Sequence, residues 1–197
     1  MSSASVGGRK VPASERVLAA ASRLFYAEGI RAVGVEAVAS EAGVTKKTLY
    51  DNFGSKDALI AAYLRGRDER WRAWIMEVAE REGGSPEDRI LATFDALGEW
   101  MEHENVRGCG FVNASVELAD PGHPGRVVVR EQKEWMHGYL AGLAKEAGVD
   151  DVDGLAERLM LLHEGASVAN SLDLARDAAL TARKIALTLI TEARPGS

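Results

Sequence analysis

Apolar residues recur every three or four positions along most of this chain, the period of helices buried along one face. Val17, Leu18, Ala21, Leu24 and Phe25 set the first such run, opened by Ser14 as N-cap with Glu15 in the first turn, and closed by Gly29. A short helix is expected over 35–42 behind Gly34, and another over 45–53, ended by Gly54. Leu59, Ile60, Tyr63, Leu64, Trp71, Trp74, Ile75 and Val78 carry one long stripe from residue 56 to about 81, with Ser55 as its cap. Gly83, Gly84, Ser85 and Pro86 then break the pattern, and Pro86 suits the first position of a new helix running to about 103. A short apolar helix over 109–119 and a loop with two prolines at 120–125 lead to a helix over 126–147. The Val127–Val129 run there has strand propensity, but the spacing of Lys, Arg and Glu after it favours helix. Two more helices, 155–172 and from 173 or 177 to 193, complete the chain. No alternating strand pattern persists anywhere, so the expected fold is all-α.

The stretch 35–56, VEAVASEAGVTKKTLYDNFGSK, organises the rest. Ala39 is small enough for two helices to cross closely, and Gly43 tolerates the positive φ of a sharp turn between them. Val38, Val44 and Leu49 would lock the angle. Two helices so joined make a helix-turn-helix, whose second helix enters the major groove of DNA. That helix begins Thr45, Lys46, Lys47, Thr48 and carries Tyr50 and Asn52 outward, all donors suited to phosphates and base edges. These residues read as a DNA-binding regulator. The expected division is a flexible arm over 1–13, a helix-turn-helix head over 14–58 and a helical regulatory domain over 59–194.

Charge supports the division. The net charge of −6 suits a DNA binder poorly until it is split: residues 1–67 hold ten Lys/Arg against six Asp/Glu, and the remainder fourteen against twenty-four. The basic excess therefore lies with the helix-turn-helix, where phosphate attraction needs it. The polar, small-residue start lacks the apolar core of a signal peptide, and no run approaches the roughly 20 apolar residues of a membrane span. One cysteine, Cys109, forms no intrachain disulfide and fits a reducing cytosol.

The run AVASEAGVTKKTLYDNFGSKDALI resembles the tetracycline-repressor (TetR) family of bacterial transcriptional regulators, the likeness covering about residues 14–64. Ala39, Gly43, Val44, Thr48, Leu49, Tyr50, Phe53, Lys56 and Leu59 all fall where the family pattern has them. The resemblance implies a homodimer, a helical ligand domain, and repression of a palindromic operator relieved by a small-molecule effector. Carried over by position, Thr45 would cap the recognition helix or touch phosphate. Lys46, Lys47 and Thr48 would read base edges and neighbouring phosphates, and Tyr50 would bond a phosphate through its hydroxyl. Asn52 could pair with adenine, while Asp51 would accept from cytosine or from Lys47. Lys56 would reach the DNA backbone. Where many members have Thr-Ser before the second helix, this chain has Val33 and Gly34, leaving only backbone N–H groups at Gly34 to anchor phosphate.

Beyond the head, Trp100, Met101, Phe111, Trp135, Met136 and Tyr139 form an aromatic and Met-rich set that would serve either as core or as a pocket. Asn113 and Glu117, one helical turn apart, and His163 with Glu164 add polar groups in apolar company, as small-molecule sites have. The expected ligand is mid-sized and partly apolar. The last two helices offer close approach at Gly165, Ala166, Ser167, Ala169, Ala178, Ala179, Ala182 and Ala186. With Leu155, Leu159, Leu162, Ile185, Leu189 and Ile190 they are the expected dimer surface, since a two-fold DNA site calls for a partner copy. Cys109, near Arg107 and a helix start, offers an alternative redox switch. His103, His123, His137 and His163 match no metal-ligand spacing, and nothing assembles a nucleophile with a base. No cofactor is expected, and an enzyme or adaptor that merely retains the head is the remaining alternative.

Overall fold

The computed structural model describes residues 11–82, 84–104 and 106–194. Most of the expected arm, with Gly83, Asn105 and the chain end from Pro195, lies outside them. Among the described residues there are nine helices and no strand: α1 (Ala13–Glu28), α2 (Val35–Glu41), α3 (Lys46–Phe53), α4 (Lys56–Glu82), α5 (Pro86–His103), α6 (Gly110–Glu117), α7 (Pro124–Glu146), α8 (Val152–Ser171) and α9 (Ala178–Glu192).

Local chemistry sets the boundaries. Helix α1 starts two residues ahead of expectation, with Pro12 rather than Ser14 in the cap position and its carbonyl accepting from Arg16 N–H at 3.1 Å. Ser85 and Asp88 close a reciprocal capping box at the start of α5, behind Pro86. The loop before α7 lies two residues earlier than expected, because α6 ends at Glu117 and Pro124 opens α7, where His123 Nδ1 accepts from Gly125 N–H at 2.9 Å. Asp151 caps α8 in the same way, drawing its start back to Val152.

Two apolar cores result. The first gathers Val17, Phe25, Val38 and Leu49 from α1–α3 with Leu59, Tyr63 and Leu64 from the first turns of α4, and continues into Phe111, Ala114 and Leu118 around α6 and Val128 of α7. The second holds Ile75 and Val78 of α4, Phe94 of α5, Leu140 of α7, Leu155 and Leu159 of α8, and Ile190 of α9. Between them on α4 sit two buried charged residues, Arg67 and Asp68. Helix α4 thus has apolar residues at both ends and packs on α1, α5 and α7. Most of the small and apolar residues expected at a dimer surface on α8 and α9, including Leu155, Leu159, Ala182, Ala186 and Ile190, are instead buried inside the chain. The exposed apolar row on those helices is Leu161, Val168, Leu172, Leu180, Ile185 and Leu187, which shares only Ile185 with the expected set.

Candidate nucleic-acid interface and inner cavity

The turn between α2 and α3 is built as its sequence requires. Gly43 adopts φ +61, which L side chains rarely take. Val44 N–H closes on the Ala39 carbonyl at 3.0 Å. Arg16, from α1, donates through Nη1 to the Ala42 and Gly43 carbonyls at 2.7 and 3.2 Å, so the turn is pinned from the first helix. In the sequence, nothing in the spacing of Arg16 distinguishes it from a solvated arginine. Thr45 caps α3, its Oγ1 accepting from Thr48 N–H at 3.1 Å and lying 2.9 Å from Thr48 Oγ1.

The outward row of α3 is polar and already knitted to itself. Lys47 Nζ donates to Asp51 at 2.7 Å, which accounts for Asp51 through its lysine partner. Lys46 pairs with Glu36 of α2, which holds its ammonium above the usual lysine range, and lies 5.9 Å from the Tyr50 ring centroid. Asn52 Nδ2 donates to the Thr48 carbonyl at 2.7 Å. Exposed pairs of this kind contribute little stability and exchange readily for other partners. Tyr50 is exposed on this face. Gly34 caps α2 without any side-chain bond, and Glu36 in the first turn adds negative charge at that helix start. Lys56 departs from its expected part: it is half-buried, its Nζ donating to the Ile30 carbonyl at 2.8 Å and lying 5.9 Å from the Phe25 ring centroid. The lysine ties α4 to the end of α1 instead of extending outward.

Farther along the chain, α4, α5, α7, α8 and the start of α6 enclose a cavity. It measures about 40 Å³ within, and about 440 Å³ when all space between the lining atoms and out through its mouth is counted. Trp71, Trp100, Phe111 and Met136 supply apolar wall; Arg67, Gln132, Lys133, His163, Glu164 and Ser167 supply polar groups. Of the expected ligand residues, the structure brings Trp100, Phe111 and His163 together here. Asn113 and Glu117 lie outside it, because α6 turns Phe111 and Ala114 inward. Asn113 Nδ2 donates to the Arg107 carbonyl at 2.9 Å, and Glu117 accepts from Arg31 N–H at 2.8 Å. Trp135 and Tyr139 also miss the cavity. Helix α7 buries Gln132, Met136, Leu140 and Leu143, leaving these two rings stacked on its flank at 5.4 Å with the Arg72 guanidinium over Trp135.

The charges around the cavity are arranged closely. Arg67, 3% exposed, donates through Nη2 to the Glu104 carbonyl at 2.6 Å, and its guanidinium lies over the rings of Tyr26 and Trp100. A Cβ on Gly110 would stand 2.7 Å from Arg67 Nε, so only glycine fits there without displacing the arginine. Lys133 Nζ bonds Glu164 at 2.5 Å and lies 3.5 Å from Cys109 Sγ. Burial works against its positive charge, yet the sulfur and carboxylate together hold its pKa above the usual value. His163 is pushed down to about 3, first by burial and then by Lys133, and is therefore neutral. His163 and Glu164 are the pair the sequence singled out here, whereas Arg67 and Lys133 read in the sequence as ordinary helix-surface charges, and only the low exposure of Arg67 in the fold marks it out.

The loop that leads into α6 is fastened to the head. Arg107 Nη1 donates to the Tyr26 and Ala27 carbonyls at 2.6 Å each, covering open carbonyls at the end of α1. Arg107 N–H donates to the Tyr26 hydroxyl at 2.8 Å, and that hydroxyl donates to the Gly108 carbonyl at 3.0 Å. Residues 107–111 therefore touch the end of α1 on one side and line the cavity on the other. Among the described residues, no helix is long and apolar enough to cross a membrane, and no cluster of three metal-ligating side chains occurs.

Residues 17–63 match the model for bacterial regulatory proteins of the tetR family. An HTH-type transcriptional regulator of Mycobacterium tuberculosis is 35% identical over 170 residues, covering 76% of this chain and 81% of its own. The HTH-type transcriptional repressor NemR of Escherichia coli is 29% identical over 107 residues, 54% of each chain. Among solved structures, a TetR-family transcriptional regulator of Streptomyces coelicolor superposes with a TM-score of 0.84 at 31% identity, over 92% of this chain and 95% of that one.

Proposed function

Because the chain belongs to the TetR family of bacterial transcriptional regulators, we propose that it is a homodimeric repressor that leaves a palindromic operator when a small molecule enters the α4–α8 cavity. The observation that carries this reading is the double attachment of residues 107–111, to the cavity on one side and to α1 on the other. In it, α3 lies in the major groove. Lys46 and Lys47 exchange their intramolecular carboxylates for phosphates, Tyr50 bonds a phosphate, and Thr48 and Asn52 face base edges. Thr45 holds the start of α3, and Gly34 gives α2 a weak backbone anchor. Lys56 fixes the head to α4. The dividing line between head and regulatory body falls near Arg67 on α4 in this reading, past the expected residue 58, and the protein works in the cytoplasm.

A ligand that enters the cavity presses on Gly110, Phe111 and Arg67, displaces the 107–111 loop and α4, and changes the separation of the two heads. It favours release only by the difference between its affinities for the two states. Selection from random duplex DNA tests the DNA half: a palindromic motif lost in the Tyr50→Phe, Lys47→Ala variant is expected. Sequence-blind binding that vanishes with salt would overturn it.

The 3.5 Å approach of Lys133 Nζ to Cys109 Sγ favours a second reading, in which oxidation of Cys109 drives release. Peroxide would then release the wild-type protein from its operator and leave Cys109→Ser bound. Equal loss in both proteins would remove this reading.

A further inference from the structure

Two buried oxygen atoms at the cavity have no hydrogen-bond partner. Gln132, 2% exposed, has Oε1 unmatched, and so has Glu164 at Oε2. Buried acceptors without donors are costly and rare, so each calls for an explanation. The nearby cations are already engaged: Lys133 with Glu164 and Cys109, Arg67 with Glu104. His163 adds a third acceptor. The Thr93 hydroxyl spends its proton on the Ile90 carbonyl at 2.7 Å, so at 3.0 Å it accepts from His163 Nε2–H, which leaves Nδ1 unprotonated in the neutral ring. The Gln132 amide can be turned over, but the Glu164 carboxylate has no such freedom, so its unmatched oxygen stands whichever way the amide lies.

Resting on the reading that a small molecule acts through this cavity, we propose that the ligand is a small neutral aromatic molecule bearing a hydrogen-bond-donating group, a hydroxyl or a carboxamide N–H. Trp71, Trp100 and Phe111 receive the ring, and Gln132 and Glu164 receive the donor. The enclosed 40 Å³ is too small for a ring, since an enclosed space of order 150 Å³ holds benzene. The ring therefore occupies the mouth, where Trp100, Lys133 and Glu164 are half-buried. A carboxylate of the same shape would set its oxygens against the two orphan acceptors and is rejected. A site built to satisfy a particular hydrogen bond discriminates strongly against an analogue that cannot make it.

The test uses the full chain with benzamide, benzoate and toluene as probes. Binding is followed by calorimetry and by tryptophan fluorescence, since Trp71 and Trp100 line the site. Release is followed by anisotropy of a labelled operator obtained by duplex selection. Benzamide is expected to bind at least about tenfold more tightly than benzoate or toluene, and Gln132→Met should weaken benzamide several-fold while leaving toluene unchanged, the remaining advantage resting on Glu164. Benzoate binding as tightly as benzamide, or no binding by any of the three, overturns the proposal. Should Gln132→Met fail to fold, the benzamide–benzoate comparison on the wild-type chain decides alone. Benzamide binding without operator release would sink the induction reading and keep this one. Release by benzoate or toluene in preference to benzamide would do the reverse.

Discussion

Protonating His163 would place a charge against the Phe94 ring, 4.4 Å away between centroids, and beside the ammonium of Lys133. The native state resists this down to about pH 3, whereas the unfolded chain takes up the proton near the ordinary histidine value of about 6.5. Over that window the unfolded state binds one more proton than the native state, so stability is fully present above pH 6.5 and declines as pH falls. The loss is roughly 1.4 kcal/mol per pH unit for this group alone. Urea titrations of wild type and His163→Leu between pH 7 and 4 should show a slope shallower by that amount in the variant; parallel curves would mean that His163 is not held neutral. Gly110 is a second position where one atom decides. Gly110→Ala would force the Arg67 guanidinium from its seat over Tyr26 and Trp100, at an expected cost of about 1–3 kcal/mol, as overpacked sites show, read as a lower urea midpoint. Neither effect is visible in the sequence, where Arg67 belongs to a charged RGRDER run and Gly110 to a loop-like RGCG.

Helices and their ends were legible because their chemistry is local. The positive φ at Gly43, the Thr45 cap of α3 and the Pro86 start of α5 each follow from a residue's own conformational preference. Thr45→Ala should destabilise the chain by about 1 kcal/mol, as loss of an N-cap usually does. It should also weaken operator binding while leaving benzamide affinity unchanged. What the sequence concealed depends on which helix faces which. The rings of Trp135 and Tyr139 share the helical period of the cavity wall, yet the rotation of α7 sets them on its flank. Glu117 and Lys56 likewise find partners in the segment after α1, a placement that no spacing along the chain encodes, while Asn113 turns back to the Arg107 carbonyl in the loop before its own helix. The clasp between α1 and the loop before α6 is of the same kind, with Arg107 and Tyr26 separated by 81 residues. Arg107→Ala should bind the operator within a few-fold of wild type but require more ligand for release. A variant with unchanged ligand dependence would show that coupling runs by another route, with α4 itself the first candidate. A one-residue insertion at Gly66 tests that route, since it would turn the head relative to the cavity by about 100° of helix.

At the scale of the whole molecule, the exposed apolar row of α8 and α9 is the face on which the proposed homodimer would pair. Leu161, Val168 and Leu172 follow one another at helical spacing on α8, with Leu161 73% exposed and Leu172 61%. Leu180 and Leu187 repeat the pattern on α9. Nothing lies within 4 Å of where a Cβ on Gly165 would stand, so a facing helix can come close at that point. A contiguous apolar face of this kind is uncommon on a lone soluble chain, and a two-fold axis through it would pair four helices and present two α3 helices to successive grooves. The charge division fits such a body, with the basic excess confined to residues 1–67 and the acidic remainder borne by the paired part. Leu161→Glu combined with Leu172→Glu buries nothing in the free chain, so folding should be retained while like charges meet across the axis. Sedimentation velocity should then report a monomer. Operator affinity should fall by about a hundredfold or more, and the salt dependence of the remaining binding should be close to half the wild-type slope, because one head neutralises half as many phosphates. A variant that stays dimeric would move the two-fold axis off this face and onto another part of the body.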